Sequence, residues 1–284
     1  MSLSDIRGFL ERHGLQANRE LGQNFLCDEA LAAKLVVKAG VEPGDRVIEV
    51  GTGLGILTRA LAARAAQVVT IEVDSGLVRA LRADSVLSSN VELIHDDALR
   101  VDLEALAGQG DAPVRLVGNL PYSISAPLLR RLLDLRGRLV DWSVMIQREV
   151  AERLLARPGS RDYGSFAVLH ALTVAQERVM SLAPGCFHPV PKVRSSFVRL
   201  RPLAQPLLGS DELPPVERVV RAAFSQRRKT LVNALQGGAL VPVPETERLV
   251  AELDALGIDR RARAESLPPE TLLALARRLA PTPS

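Results

Sequence analysis

Asn119-Leu-Pro121-Tyr122 has the groups that methylation of a nucleobase amine requires. The nitrogen of such an amine is a poor nucleophile, because its lone pair is delocalised into the ring. The Asn119 amide oxygen and the carbonyl of Leu120 or Pro121 could accept its two N–H groups and turn the lone pair out of the ring plane. Tyr122 could stack on the base. We take Asn119, Pro121 and Tyr122 as candidate catalytic residues; the alternative is a simple turn.

A second segment has the composition of a nucleoside-binding turn. Glu49-Val-Gly51-Thr-Gly53-Leu-Gly55 lies between an apolar run and a helical run. Glycines let the backbone approach a ligand closely, and the start of a helix offers free N–H groups. A dinucleotide turn would have glycine at position 56, where Ile56 stands. The turn therefore favours a single nucleoside such as S-adenosylmethionine (AdoMet) over NAD.

Two carboxylates follow at the ends of predicted strands. Glu72 lies about 20 residues beyond the glycine turn, where a carboxylate can bind both hydroxyls of a ribose. Asp97 follows the next strand and could contact the adenine edge, although its neighbour Asp96 leaves this assignment open. The candidate cofactor-binding residues from these two patterns are Gly51, Gly53, Glu72 and Asp97.

Apolar runs and helical periodicity alternate from about residue 45 to residue 175, which predicts a parallel sheet with helices on both faces. Gln176–Leu182 and Arg194–Arg201 are then joined by a proline-rich loop, so we expect a closing hairpin whose last strand runs antiparallel. The predicted strands and helices are Arg46–Val50, 56–65, Gln67–Glu72, 74–82, Val91–Ile94, Val114–Gly118, Ser125–Leu135, Leu139–Ile146 and Gln147–Ala156.

The rhythm changes after residue 202. Pro202 to Pro215 is rich in proline and turn residues, and only helical periodicity follows, at about 215–224, 226–236, 245–255 and 268–280. We therefore predict a first domain over residues 1–202, with residues 1–27 as a lid segment. A small helical domain is predicted over residues 203–284.

Composition excludes several classes of protein. The 284 residues are 47% hydrophobic and 24% charged, as in a globular protein with a sizeable core. The two cysteines and four histidines lack the spacing of a metal site, so we expect no metal. No apolar run has the length of a membrane span, and charged residues occupy the start of the chain. We expect a soluble, cytoplasmic protein, with a monomer as the default.

Positive charge is concentrated in one C-terminal segment. Residues 217–233 hold five Arg or Lys and one Glu, against a net charge of +3 for the whole chain. Arg227, Arg228 and Lys229 are our candidate contacts to RNA phosphates. The alternative is a solvated helix face.

Several segments together resemble the ribosomal RNA adenine dimethyltransferases. They cover nearly the whole chain in the order of that family and are Leu21–Leu26 (LGQNFL), the glycine turn, Asn119–Tyr122 (NLPY), Gln147–Leu154, Tyr163-Gly164, Cys186–Val193 and Phe224–Leu231 (FSQRRKTL). The last of these favours the branch acting on small-subunit RNA over the large-subunit, macrolide-resistance branch.

The resemblance implies a Rossmann-like, seven-stranded AdoMet-dependent methyltransferase sheet with a small all-α C-terminal domain. It implies that Asn24 and Leu26 lie over AdoMet, and that Gly51 and its turn hold the methionine part. Phe187 resembles the aromatic residue that covers the target base opposite Tyr122. The strand-end carboxylates keep the roles given above, and the resemblance implies that Asn119 lies between the cofactor and the target amine and binds the cofactor as well.

The activity implied is transfer of methyl groups from AdoMet to N6 of two adjacent adenosines near the 3′ end of small-subunit ribosomal RNA. The substrate would be that RNA or a precursor of the small ribosomal subunit, during ribosome biogenesis. Two alternatives stay open: the same chemistry on large-subunit RNA, and a non-catalytic RNA-binding assembly or transcription factor on the same fold.

Overall fold

The computed structural model describes residues 3–18, 20–110, 112–238 and 245–280. Seven strands form one sheet in the order β4-β3-β2-β5-β6-β9-β7. Their bounds are β2 Arg46–Val50, β3 Gln67–Glu72, β4 Val91–His95, β5 Val114–Asn119, β6 Asp141–Gln147, β7 Val174–Leu182 and β9 Ser195–Pro202. The pairs from β4 to β6 are parallel, and β9 pairs antiparallel with β6. The predicted sheet and its antiparallel last strand are confirmed.

The central strands are short runs of apolar residues because both faces of the sheet are covered. All five residues of β2 are buried, as are five of the six residues of β3. The helices between residues 3 and 154 are α1 Leu3–Arg12, α2 Glu29–Lys38, α3 Ile56–Ala62, α4 Ser75–Ala83, α5 Leu103–Ala107, α6 Ser125–Asp134 and α7 Arg148–Leu154. Asp28 and Asp74 cap α2 and α4, as their positions before helical runs predict.

A second, two-stranded sheet was not foreseen. β1 is Phe25–Leu26 and β8 is Phe187–His188, and they pair antiparallel with Leu26 opposite Phe187. Two residues are too few to show a period, so the sequence carries no signal for this ladder. It ties the N-terminal segment to the loop between β7 and β9.

The chain divides into two compact units. The first comprises Met1–Ala151 and Glu177–Pro202, and the second comprises Glu152–Gln176 and Leu203–Ser284. One boundary therefore falls at residue 202, where the linker is predicted. The second unit also takes in a segment that the sequence analysis placed in the first domain. Of the two predicted domains, residues 1, 2, 19, 111, 239–244 and 281–284 lie outside the described residues.

The second unit is helical beyond residue 202. Its helices are α8 Ser165–Ala171, α9 Leu213–Ala223, α10 Leu231–Gly237, α11 Thr246–Ala255 and α12 Pro269–Leu279. Helix α9 packs against α8, α10 and α12. The predicted helix over 226–236 begins five residues late, because Phe224 ends α9 and Thr230 caps α10, which leaves residues 226–229 in a turn. Within the described ranges, no helix combines the length and apolarity needed to span a membrane.

Candidate active site

A cavity opens at the carboxyl ends of β2, β3 and β5, where ligands bind in open α/β sheets. Five chain segments line it: residues 20–25, residues 50, 51 and 53, and residues 71–73, 96–98 and 119–124. The candidate residues that the fold brings to this lining are Asn24, Gly51, Gly53, Glu72, Asp97, Asn119, Pro121 and Tyr122. Leu26 and Phe187 are not part of it.

The glycine turn between β2 and α3 requires glycine for two reasons. Gly51 and Gly53 have φ angles of 85° and 55°, a region that residues with a side chain rarely adopt. A Cβ on Gly53 would lie 3.1 Å from Cδ1 of Phe25, and one on Gly51 would lie 3.2 Å from the carbonyl oxygen of Asn119. The backbone of the turn is therefore in close contact with both the N-terminal segment and the end of β5.

Glu72 ends β3 and is 6% exposed. Its Oε2 accepts the backbone N–H of Gly53 at 2.9 Å, and its Oε1 accepts that of Asp74 at 2.9 Å. Burial raises the pKa of this carboxyl above its ordinary value. Each carboxylate oxygen has a second acceptor position, so Glu72 can hold the glycine turn and still accept two hydroxyl groups of a ligand.

Glu49 is a buried acid to which the sequence analysis gave no role. Its Oε2 accepts the hydroxyls of Thr58 and Thr70, both at 2.6 Å, and Thr70 also shares a 2.7 Å hydrogen bond with Thr52. Oε1 has no partner within the described chain. Burial raises the pKa of Glu49 to about 8. Glu49 is therefore held in its neutral, protonated form, and its hydrogen bonds with the threonines support the start of the glycine turn.

Stability should depend on pH through Glu49. The folded chain keeps this proton up to about pH 8, whereas the unfolded chain loses it near 4.5, so the free energy of unfolding should fall as pH rises between these values. Glu49→Gln keeps a neutral side chain that accepts the same two hydroxyls and should lose this part of the pH dependence. Urea denaturation of both proteins at about pH 5 and about pH 8 measures the difference; parallel pH curves would contradict it.

Asn119 is held by the backbone of the N-terminal segment. Its Nδ2 donates to the carbonyl oxygen of Asn24 at 2.7 Å. This bond fixes which end of the amide is turned towards Asn24 and leaves Oδ1 as the acceptor. Among the described residues, Oδ1 accepts no hydrogen bond, so its capacity is available to a ligand.

The carbonyl of Pro121, our candidate for the second acceptor of the target amine, is already occupied. The carbonyl oxygen of Pro121 already accepts the N–H of Ile124 at 3.2 Å and the hydroxyl of Ser125 at 3.0 Å. A carbonyl oxygen has two lone pairs, so Pro121 has no capacity left for a target amine. The carbonyl of Leu120 accepts no hydrogen bond in the described part of the chain. Of the two carbonyls considered, Leu120 is therefore the better candidate.

Tyr122 is half-buried at the edge of the cavity. Its hydroxyl lies 3.2 Å from Oγ of Ser195, the first residue of β9, which is 2% exposed. One end of the phenol ring is therefore anchored, which restricts its rotation. This is the property that a stacking platform for a base requires.

Leu26 and Phe187 lie in the core, 4% and 1% exposed. They are opposite each other in the β1–β8 ladder, and both side chains belong to the hydrophobic core cluster. The roles of Phe187 at the base and of Leu26 at the cofactor stay predictions.

The adenine-binding carboxylate stays open between two neighbours. Asp96 and Asp97 both line the cavity. Asp97 accepts the N–H of Leu99 at 2.8 Å and lies 3.6 Å from Arg100, while Asp96 accepts the N–H of Asp97 at 2.7 Å. Each is thus partly engaged, and geometry does not favour one over the other.

The sequence model of the family described as "Ribosomal RNA adenine dimethylase" matches residues 14–280. The chain belongs to this family. A relative named "Ribosomal RNA small subunit methyltransferase A" from Magnetococcus marinus is 41% identical, with 92% of this chain and 91% of that protein covered. AdoMet is the methyl donor that membership of this family and the methyltransferase fold imply.

Two solved structures share the fold. A dimethyladenosine transferase from Plasmodium falciparum aligns with a TM-score of 0.74 and 24% identity, covering 90% of this chain and 98% of that one. The 23S rRNA methyltransferase ErmE aligns with a TM-score of 0.65 and 29% identity, covering 90% and 99%. The Rossmann-like methyltransferase sheet with a helical C-terminal region is thereby confirmed.

The cavity of this dimethylase family member fits AdoMet. The turn lines the cavity with Gly51 and Gly53, which have no side chain to keep a ligand away from the backbone, and backbone N–H groups start α3 beyond it. Glu72 is a buried carboxylate with acceptor capacity left for a ribose. These observations concern the shape and chemistry of the site; the assignment of each residue to a part of AdoMet stays a prediction.

The basic residues of this family member lie in the turn between α9 and α10. Arg227, Arg228 and Lys229 are all exposed. Arg227 forms an ion pair with Glu265, with Nη2 and Oε2 3.1 Å apart. Neither Arg228 nor Lys229 forms an ion pair with a described residue, so these two cations have the larger free capacity for phosphates.

Proposed function

We propose that this protein is the small-subunit enzyme of the family. It transfers methyl groups from AdoMet to N6 of two adjacent adenosines near the 3′ end of small-subunit ribosomal RNA. The 41% identity to a small-subunit methyltransferase over nine-tenths of both chains supports this choice of branch. The 29% identity to a 23S rRNA methyltransferase makes large-subunit RNA the alternative that must be tested.

One observation carries the chemistry: the Asn119 amide is oriented. Because Nδ2 donates to Asn24, Oδ1 is held as an acceptor at the end of β5, beside the glycine turn. The unoccupied carbonyl of Leu120 is one residue further on. Two acceptors at this spacing can hold both N–H groups of an adenine amine, as a methyl transfer to N6 requires. A protein that only bound RNA would not need them at the mouth of this cavity.

The proposed mechanism relies on positioning. AdoMet, when bound, supplies an electrophilic methyl group on its sulfonium. The glycine turn and Glu72 bind and orient the donor, and Asn119 with Leu120 hold the amine so that its lone pair is drawn out of conjugation with the ring and directed at the methyl group. Tyr122, anchored on Ser195, stacks on the adenine. A strong general base is not required, because the methylated nitrogen is a cation and loses its proton readily.

The partner we propose is a precursor of the small ribosomal subunit. The exposed cations between α9 and α10 support contact with RNA phosphates. We further propose that the protein acts as a monomer in the cytoplasm, with no membrane partner.

A methyl-transfer assay on ribosomal particles tests the proposal. Purified small and large subunits lacking the modification would be incubated with the protein and radiolabelled AdoMet, and the methylated nucleotides mapped. We expect dimethyladenosine at two adjacent sites of small-subunit RNA. Label in large-subunit RNA would favour the alternative branch, and no label with intact AdoMet binding would favour a non-catalytic binder.

The basic turn should act on RNA and not on AdoMet. Replacing Arg228 and Lys229 with Ala should reduce the slope of log K against log salt for particle binding by about 2, near one per lost phosphate contact. Adding Arg227→Ala should change the slope by less, because Glu265 already neutralises that guanidinium.

The control for this experiment is Lys34→Ala with Lys38→Ala. These two exposed lysines lie on α2, and replacing them removes the same charge from another part of the chain. The slope of log K against log salt for this double variant should stay at the wild-type value. Equal slopes for both double variants would identify the turn as a solvated surface.

A further inference from the structure

The N-terminal segment is closed by a polar clasp centred on Gln23. The backbone N–H of Gln23 donates to the carbonyl of Asn18 at 3.1 Å, and the N–H of Asn18 donates to Oε1 of Gln23 at 2.8 Å. The other end of the Gln23 amide, Nε2, donates to Oδ2 of Asp74 at 2.9 Å. One side chain thus links Asn18 to Gln23 and fastens residues 20–23 to the end of β3.

Asp74 is a fixed point. Its Oδ1 accepts the N–H groups of Gly76 and Leu77 at 2.8 and 3.2 Å, which caps α4. Its own N–H donates to Oε1 of Glu72. A side chain tied down at the start of a helix and beside a buried carboxylate cannot follow a moving loop, so the loop takes its position from Asp74.

The residue after Gln23 holds Asn119. The carbonyl of Asn24 accepts from Nδ2 of Asn119 at 2.7 Å, and the Asn24 side chain donates to the carbonyl of Gly22 at 3.0 Å. The carbonyl of Asn24 is one peptide unit from the clasp. Its location, and with it the direction of the Asn119 amide, therefore depends on where Gln23 is fastened.

We propose that Gln23 is a positioning residue for methyl transfer. Its bond to Asp74 holds residues 20–24 in the lining of the cavity, on which AdoMet affinity depends. It also fixes the Asn24 carbonyl, which keeps Oδ1 of Asn119 in the acceptor role on which the rate depends. The inference rests on the proposed function, since it assigns Gln23 an effect through Asn119. The proposal assigns Gln23 no contact with a reacting atom.

The test exchanges donor and acceptor across the clasp. Gln23→Glu has nearly the same shape but sets a carboxylate oxygen against Oδ2 of Asp74. We expect AdoMet affinity and the single-turnover rate at saturating AdoMet each to fall about tenfold, the scale for losing a hydrogen bond to a charged group. Asp74→Asn added to Gln23→Glu supplies an amide donor to the new carboxylate and keeps Oδ1 as the cap of α4. It should restore most of both quantities.

Two controls separate positioning from general damage. Gln16→Glu puts the same charge on the same segment, at an exposed residue that makes no hydrogen bond within the described chain, and should behave as wild type. Asp74→Asn alone places its amide N–H₂ against the amide N–H₂ of Gln23. Its AdoMet affinity and rate should therefore be reduced, although the same substitution restores both in the Gln23→Glu background. Thermal unfolding of every variant reports its folded fraction.

The inference is overturned if Gln23→Glu matches Gln16→Glu, or if the paired variant folds but recovers neither AdoMet affinity nor rate. Calorimetric titration with AdoMet needs no RNA, so it decides the clasp even where methyl transfer fails. A wild-type protein that binds AdoMet but methylates no ribosomal particle would reject the proposed function instead. The two failures are therefore distinguishable.

Discussion

Asn119→Ala is expected to lower the single-turnover rate of methyl transfer by about 100-fold or more, the scale for removing one preorganised polar group from a transition state. The variant loses the Oδ1 acceptor and leaves only the Leu120 carbonyl to orient the amine. AdoMet affinity should fall much less than the rate, because the glycine turn and Glu72 are unchanged. The fold should persist, since Asn119 is a half-buried residue at the end of β5.

Asn119→Asp tests the orientation of the amide instead of its acceptor oxygen. It keeps an acceptor oxygen of the right size, but it replaces the Nδ2 donor, so an oxygen would face the carbonyl of Asn24. We expect this variant to be slow as well, because acceptor capacity without orientation does not align the amine. Rapid-quench kinetics on small-subunit particles with saturating AdoMet measure both variants. A wild-type rate for Asn119→Ala would make NLPY a structural turn.

The centre of the sheet could be predicted because its strands are buried on both faces. Arg46–Val50 and Gln67–Glu72 are apolar runs between turn signals, and both are strands with these bounds. The start of α10 could not be predicted in the same way. Residues 226–229 continue the helical periodicity, but the cap at Thr230 begins a new helix and overrides it.

The location of the site could also be predicted, since strand ends gather at one edge of a parallel sheet. Its detailed hydrogen bonding could not. The choice between Leu120 and Pro121 depends on Ser125 and Ile124, which occupy one of the two carbonyls. No spacing rule reports such a contact.

Contacts between distant segments explain the remaining differences. Leu26 and Phe187 meet in a ladder 161 residues apart in sequence and are buried by it. Gln23 donates to Asp74, whose position before a helical run predicts a helix cap and nothing more. Each of these residues is explained by its own local sequence when taken alone, and only the folded chain shows that the two members of each pair are in contact.

Glu72→Ala is expected to weaken AdoMet binding about 10- to 150-fold, which corresponds to roughly 1.5–3 kcal/mol for charged hydrogen bonds. Two effects combine in this variant. It removes the proposed acceptor for the ribose hydroxyls, and it leaves the N–H groups of Gly53 and Asp74 without their partner, which loosens the glycine turn. Glu92→Ala is the matched control, because it removes an exposed carboxylate from the neighbouring strand β4, outside the cavity lining.

Binding should also depend on pH through Glu72. Burial raises the pKa of this carboxyl, so the decline of AdoMet affinity at acidic pH should begin above the ordinary Glu value of 4.5. Affinity for AdoMet should fall as pH is lowered through the raised pKa, since the protonated group loses an acceptor. Glu72→Gln keeps one oxygen but turns an amide N–H₂ towards a backbone N–H, so we expect weak binding with no such decline at acidic pH. Calorimetric titration across pH measures both, and AdoMet affinity in Glu72→Ala equal to that in Glu92→Ala would reject the ribose assignment.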